Sequence, residues 1–595
     1  MAERTNNIFR FLSLLLLLFS SFFALGQTQP KKDPPIKKFR QLHSDVTRVD
    51  PARFGGNPFA YGQVVFEHEG TKLYSDTAVY YQQENIFRAW SNVRMVNDTV
   101  TFRSDSLEYD GNTRLVKGFD NVHIKDAKSE LFADYVEYDR VTDIAVASGN
   151  VVMIDPSQRI ETPYMEYNRA TGVAYTDKGA IIRGKDGSVT HTQVLQYNAN
   201  SKEITFDRNT MIETEEYRIV SDKMIMNQMT DVTDFIGRST ITDRKNPRNY
   251  VLMPEGGGKF NKRTGEAFLN KRSTIYRDGK ELHGNNMYFN DQTGYGWAKG
   301  DVLINDPEER RFIRGEYGEV HRNVDSAFVT QNAYAVKAFE LDSLYFHADT
   351  IMAVQRADST RVLKAYFNAR YYKTNMQGKS DSIFYNETIG LMKFFRDPIM
   401  WVDDQQITGD TIYTYNNPVK EVMDSVRIFN HAFAIAKVDS LNEKEFNQVK
   451  GKYMTGYFLD NKLKMVEVHE NAQSVTYVDD EDEKTLVKER LGINLSDCGI
   501  IEAEIDGSNV DVLACLIQAN SRLFPESKFP KDRQFLKDFR WRGDERMRRW
   551  QDIFGEKNPW EATDVQENTE NESVEETMMD LDAIFSKEEK PENPA

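Results

Sequence analysis

Ser104-Asp105-Ser106-Leu107-Glu108-Tyr109 and Ala133-Asp134-Tyr135-Val136-Glu137-Tyr138 are one phrase written twice, 29 residues apart. It has a copy on either side, Ser75-Asp76-Thr77-Ala78-Val79-Tyr80 and Thr162-Pro163-Tyr164-Met165-Glu166-Tyr167. Tyr80, Tyr109, Tyr138 and Tyr167 thus form a column at a constant interval of 29, and Asp76, Asp105 and Asp134 form another. Within each copy Leu107 and Tyr109, Val136 and Tyr138, or Met165 and Tyr167 stand two apart with a glutamate between them, the alternation of a half-buried strand. A second strand follows a polar turn in each copy: Asn92-Val93-Arg94-Met95, Asn121-Val122-His123-Ile124, Asn150-Val151-Val152-Met153. Self-similarity at a fixed period marks units that bury their apolar faces only by stacking, so the chain reads as an all-β repeat array.

The copies continue with lower fidelity. Tyr288 and Tyr317 are again 29 apart, as are Asp381 and Asp410. Around Gly256-Gly257-Gly258 the spacing fails, which divides the array into 60–245 and 271–478 with a loop or break at 246–270. Residues 479–555 read as a small mixed α/β module with a charged helical stretch from Lys531 to Phe554. The Glu-rich stretch 556–595 is poor in apolar residues and reads as a disordered acidic tail with one apolar segment, Met578–Phe585. At the other end, Arg4 and Arg10 precede the apolar run Phe11–Leu25 and the small residues Ala24 and Gly26, the pattern of an export signal over 1–26. A linker, 27–59, follows it.

A formal net charge of −17 is the wrong sign for a phosphate-backbone partner, so no nucleic acid is expected. Phosphate-binding loops, zinc-helix motifs and nucleophile elbows are missing from the sequence, and neither a cofactor nor a metal is expected. The Asp column is read as structural, each carboxylate closing a turn on local backbone amides. Its alternative is calcium binding or acid–base chemistry on a polysaccharide. The Asn92, Asn121 and Asn150 column fixes the turn into the second strand, and His68, His123, His191 and His283 face solvent. Two readings of Cys498 and Cys515 stay open: a disulfide closing their loop, or two buried thiols.

What remains is a lengthwise apolar stripe: Leu107, Tyr109, Val122, Ile124, Val136, Tyr138, Val151, Met153, Met165 and Tyr167. An open roll leaves a groove along it that can sheathe acyl chains, at about 0.8 kcal/mol per buried methylene. A closed roll fills the same space with its own side chains, and alternation does not separate the two.

The unit Asp-x-x-x-Tyr, about ten residues, then Gly-Asn-Val-x-Met/Ile-Asp, clearest at Gly149-Asn150-Val151-Val152-Met153-Ile154-Asp155, resembles the OstA-like or LptA family of lipopolysaccharide transport proteins. The resemblance is good over 60–206 and weaker to 475. It implies a long open β-jelly roll, or β-taco, in the periplasm, with association to the outer membrane left open. It implies a non-enzymatic conduit in which lipid A acyl chains of lipopolysaccharide slide along the groove toward the outer membrane. The partners implied are an inner-membrane export complex and an outer-membrane translocon, with end-to-end self-association as a further expectation. The chain departs from the family in its length and in the extension 479–595. The competing readings are a closed β-helix acting as an adhesin or polysaccharide-acting enzyme, and an envelope scaffold packed shut.

Overall fold

The computed structural model describes residues 37–557 except 341, 419–421, 439–443, 482–487 and 507–508. The expected signal peptide and nearly all of the expected acidic tail lie outside the described residues. Two compact units are present: one holds the described residues up to Pro156 with Tyr164–Ala170, the other Ser157–Pro163 and the chain from Thr171 onward.

The first unit is a meander of strands, among them Thr71–Tyr81, Ile86–Val96, Thr101–Asp110, Leu115–Lys125, Glu130–Asp139 and Ile144–Ile154, each paired antiparallel to the next. Every strand runs through what the sequence alone divides into shorter pieces, because the interruption is a bend inside a strand. In every second strand two successive residues are left-handed: Ser91 and Asn92 (φ 63° and 52°), Asp120 and Asn121 (58° and 48°), Gly149 and Asn150 (73° and 44°). The register of the ladder slips there, as at a β-bulge. Asparagine tolerates this conformation better than other side chains. The Asn column therefore sits at the bend, and the expectation that it fixes a turn into a separate strand is corrected.

The Asp column serves the same bend. Asp76 accepts hydrogen bonds from Asn92 Nδ2 and Ser91 Oγ, both at 2.6 Å. Asp105 accepts from Asn121 Nδ2 at 2.7 Å and Asp134 from Asn150 Nδ2 at 2.8 Å. These carboxylates hold side chains of the neighbouring strand rather than their own local amides, which is why an Asp 16 residues before each Asn recurs.

Bent at this row, each strand has two arms whose apolar residues face each other. Phe102 of one arm lies so close to Gly118 of the other that a Cβ there would sit 2.5 Å from its ring. Packing of this kind makes the unit a folded-over β-jelly roll rather than a flat sheet.

The second unit repeats the device with poorer copies. Left-handed pairs recur at Arg208 and Asn209, Gln331 and Asn332, Phe367 and Asn368, Asn430 and His431, and Glu470 and Asn471. Residues 246–270, expected as a loop or break, hold three short strands, Tyr250–Met253, Gly258–Asn261 and Glu266–Leu269. Gly256 and Gly257 take φ 70° and 79° in a corner where the Ile236 carbonyl leaves no room for a side chain. In the segment given to a linker, Arg40–His43 and Val46–Val49 both pair with Pro58–His68.

Strands continue to Asn520–Phe524, and a disulfide joins Cys498 to Cys515, their Cα atoms 5.7 Å apart. The helix expected from Lys531 to Phe554 does not form. The segment is an irregular strap with short 3-10 turns at Lys531–Arg533, Gly543–Glu545 and Trp550–Lys557. Tertiary contacts override helical propensity here, because the strap's backbone is bonded to the sheet beneath it. Gln448 donates to the Gln534 carbonyl and accepts from Leu536 N–H, both at 2.9 Å. Gln406 does the same with Arg540 and Arg542, at 2.8 and 2.7 Å.

Candidate functional site

The ten stripe residues all belong to the first unit and all point between its arms. None exceeds 6% exposure, with Tyr109 and Val136 at 0% and Ile124 the highest. Leu107, Val136 and Met165 come from the arm that ends in the tyrosine column, Val122, Ile124, Val151 and Met153 from the other. The protein's own side chains therefore occupy the space that the sequence allows for a ligand. Glu108, Glu137 and Glu166 lie on the outer face, as the alternation requires.

The edge opposite the bends is where the free ends of the two arms meet, and it is polar. Arg140 donates to the Tyr109 hydroxyl and, at 2.7 Å, to Thr71 Oγ1 on the opposite arm. Tyr109 in turn lies 2.8 Å from His68 Nδ1, and His68 Nε2 lies 3.0 Å from the Lys37 carbonyl. A carbonyl only accepts, so Nε2 carries the proton, Nδ1 accepts from the tyrosine, and the imidazole is neutral. Burial lowers the His68 pKa, in keeping with that state. The expectation that His68 faces solvent is corrected: it is 1% exposed, stacked on Phe39 with ring centroids 4.5 Å apart.

Two further contacts close the same seam. Arg169 reaches the Tyr138 hydroxyl at 2.9 Å, Asp143 at 2.8 Å and, across the seam, Asp126 at 3.6 Å. Arg114 bridges to Glu69 of the other arm at 2.8 Å. Burial, with the hydrogen bond to Asp143 second, pushes the Tyr138 pKa up to about 12, so its hydroxyl stays protonated. The tyrosine column is thus a packing column with its polar ends in the seam.

Sequence reading does not single out Arg114, Arg140 or Arg169 as functional residues. Their signal was present, since Arg140 and Arg169 are 29 apart like the tyrosines they touch. In the second unit, contacts between the two rows of turns are again charged: Glu309 with Arg361 at 2.8 Å, and Glu387 with Arg311 and Lys337 at 2.5 and 2.6 Å.

The Asp column lies at the bends, engaged as described. Among the described residues no three His, Cys, Asp or Glu side chains gather into a metal-holding group. No helix among them is long and apolar enough to cross a membrane.

A sheet bent along one edge, closed on an apolar interior and sealed by polar contacts along the other defines a β-jelly-roll repeat protein. Residues 37–149 and 142–222 match the family described as OstA-like protein, and this part of the chain is OstA-like. No curated protein matches the chain in sequence. Among solved structures it is similar to LptH, the LptA-homologous periplasmic component of the conserved lipopolysaccharide transport device from Pseudomonas aeruginosa. That similarity is 17% identity over 17% of this chain and 75% of LptH, with a TM-score of 0.16.

Proposed function

We propose that the chain is a non-enzymatic, exported carrier of lipopolysaccharide that holds lipid A acyl chains between the two arms of its roll on the way to the outer membrane. The observation that carries this reading is the unbroken apolar column of the OstA-like segment, with every polar group of the seam confined to one edge. An amphiphile needs that division, tails inside and headgroup at a polar edge. In the closed state the arms touch, so loading requires the seam contacts of Arg114, Arg140 and Arg169 to part and the interior side chains to move aside for acyl chains. Met153 and Met165 in the column are flexible enough to repack around an irregular ligand. An inner-membrane export complex and an outer-membrane translocon are the partners this reading requires.

The burial of all ten stripe residues by the protein itself favours one second reading, an envelope scaffold whose interior never opens. A photo-crosslinking residue at Val136, with Glu137 on the outer face as control, separates the two. Irradiation in cells is expected to give a lipopolysaccharide adduct at Val136 alone. Silence at both positions in folded, exported protein means that the scaffold reading is correct.

A further inference from the structure

The strap is an interface already made, and it points at a face not yet covered. From Leu536 to Phe554 the segment crosses neighbouring strands in descending chain order. It binds Gln448, then Gln406, then Gln377 through Arg546 at 2.7 Å. Trp550 then stacks on Tyr345 with centroids 5.1 Å apart, and Phe554 packs edge-on against Tyr334 at 5.3 Å. Beneath it the outer face is apolar, with Trp401, Phe433, Ile435 and Phe446 all buried.

Beyond Phe554 the same face continues. Directly opposed residues in a sheet share a face, and the register runs from Tyr334 to Arg314, Leu303, His283, Thr274, Leu252, Thr240 and Val220. Tyr276 and Tyr250 stack in the adjoining column with centroids 4.2 Å apart. Val220 is 45% exposed, and Leu252, Tyr250 and Tyr276 are partly so. The strap therefore ends on Tyr334, a strip that includes Arg314, His283 and Thr274 separates it from this second apolar patch of the same face, and residues 558–595 of the chain are still to follow.

That remaining stretch has one apolar segment, Met578-Met579-Asp580-Leu581-Asp582-Ala583-Ile584-Phe585. We propose that Met578–Phe585 docks in cis on the outer face formed by Val220, Tyr250, Leu252 and Tyr276, extending the strap's path. Reach is not limiting. The residues between Phe554 and Met578 span up to roughly 80 Å when extended, while the strands from Tyr334 to Leu252 lie about 4.8 Å apart, a far shorter distance. The strap's descending course toward the patch, with the chain continuing beyond it, favours this tethered occupant over a second copy of the chain.

The test uses the full-length chain with a photo-crosslinking amino acid at Leu581. Irradiated dilute protein is expected to give crosslinked peptides joining the tail to 217–227, 250–253 or 273–277 within one chain, in a yield unchanged by dilution. Val220→Asp with Tyr250→Ser should lower that yield several-fold while circular dichroism stays the same. A chain ended after Lys557 should show faster amide exchange in Tyr250–Met253 than the full chain. Crosslinks only between chains, lost on dilution, would overturn the proposal in favour of a second copy. No crosslink together with unchanged exchange in the shortened chain would overturn it outright.

Discussion

The first copies and the later part of the second unit build the same bent sheet and finish its outer face in opposite ways. In the strands from Thr71 to Asp139, 10 or 11 residues long, the outer face carries charges paired across strands, such as Arg88 with Glu108 at 2.8 Å and Lys117 with Glu137 at 3.8 Å. In the later part, strands such as Met423–Lys437 and Lys462–Glu481 reach 15 and 20 residues, and the outer face bears Trp401, Phe433, Ile435 and Phe446 beneath the strap. Inner-face alternation is enough to make a roll. The outer face decides whether water or chain covers it, since an antiparallel sheet can leave one side wet only if that side is polar.

Ending the chain after Phe524 gives the largest expected effect. Several large apolar side chains would return to water at roughly 1.5–3 kcal/mol each. The second unit is expected to lose its protection against limited proteolysis while the first keeps its own. Equal protease resistance with and without the strap would break the contrast between the two regions.

Val136→Asp should come next, because an uncompensated charge between the arms costs on the order of 3–5 kcal/mol. Glu137→Gln on the wet face should stay within about 0.5 kcal/mol. Denaturant unfolding that ranked the two alike would mean that the interior of the first unit is not packed as described.

A smaller loss, about 1–3 kcal/mol, is expected for Gln448→Ala, which leaves two strap backbone groups without partners. Hydrogen exchange at Leu536 N–H reports it directly, and an unchanged rate would show that the aromatic contacts hold the strap alone.

The smallest effect concerns pH and the first unit. Burial holds the folded His68 pKa below the unfolded value near 6.5. Its contribution is therefore full above pH 6.5 and is lost as pH falls through the lower folded value. Protonation would turn Nδ1 from an acceptor into a donor facing a hydroxyl that already accepts from Arg140. Thermal unfolding of the first unit should weaken in mild acid, and His68→Gln should flatten that dependence.

The inner face was legible in the sequence because periodicity is a property of neighbouring residues. Leu107, Val136 and Met165 were placed on it from spacing alone, and all are buried. The seam was not legible, since Arg140 meets Thr71 and Arg169 meets Asp126 only after the sheet folds over. Nor was the bend: Asn121 announces a left-handed residue, but whether it lies in a turn or within a strand depends on the partner strand that carries Asp105. The strap misled helical reasoning because its side chains are spaced to meet the sheet and not to line one side of a helix.

The bends lie inside strands, so each 29-residue unit enters and leaves the sheet with the same register and the same face inward. Joining Arg103 to Ala133, with Ser104–Phe132 removed, sets Ala133-Asp134 where Ser104-Asp105 stood and preserves the pairing on both sides. Length in such a protein is a heritable quantity that recombination can change in whole steps, one pair of strands at a time. An insertion of a single residue would instead turn every following side chain inside out.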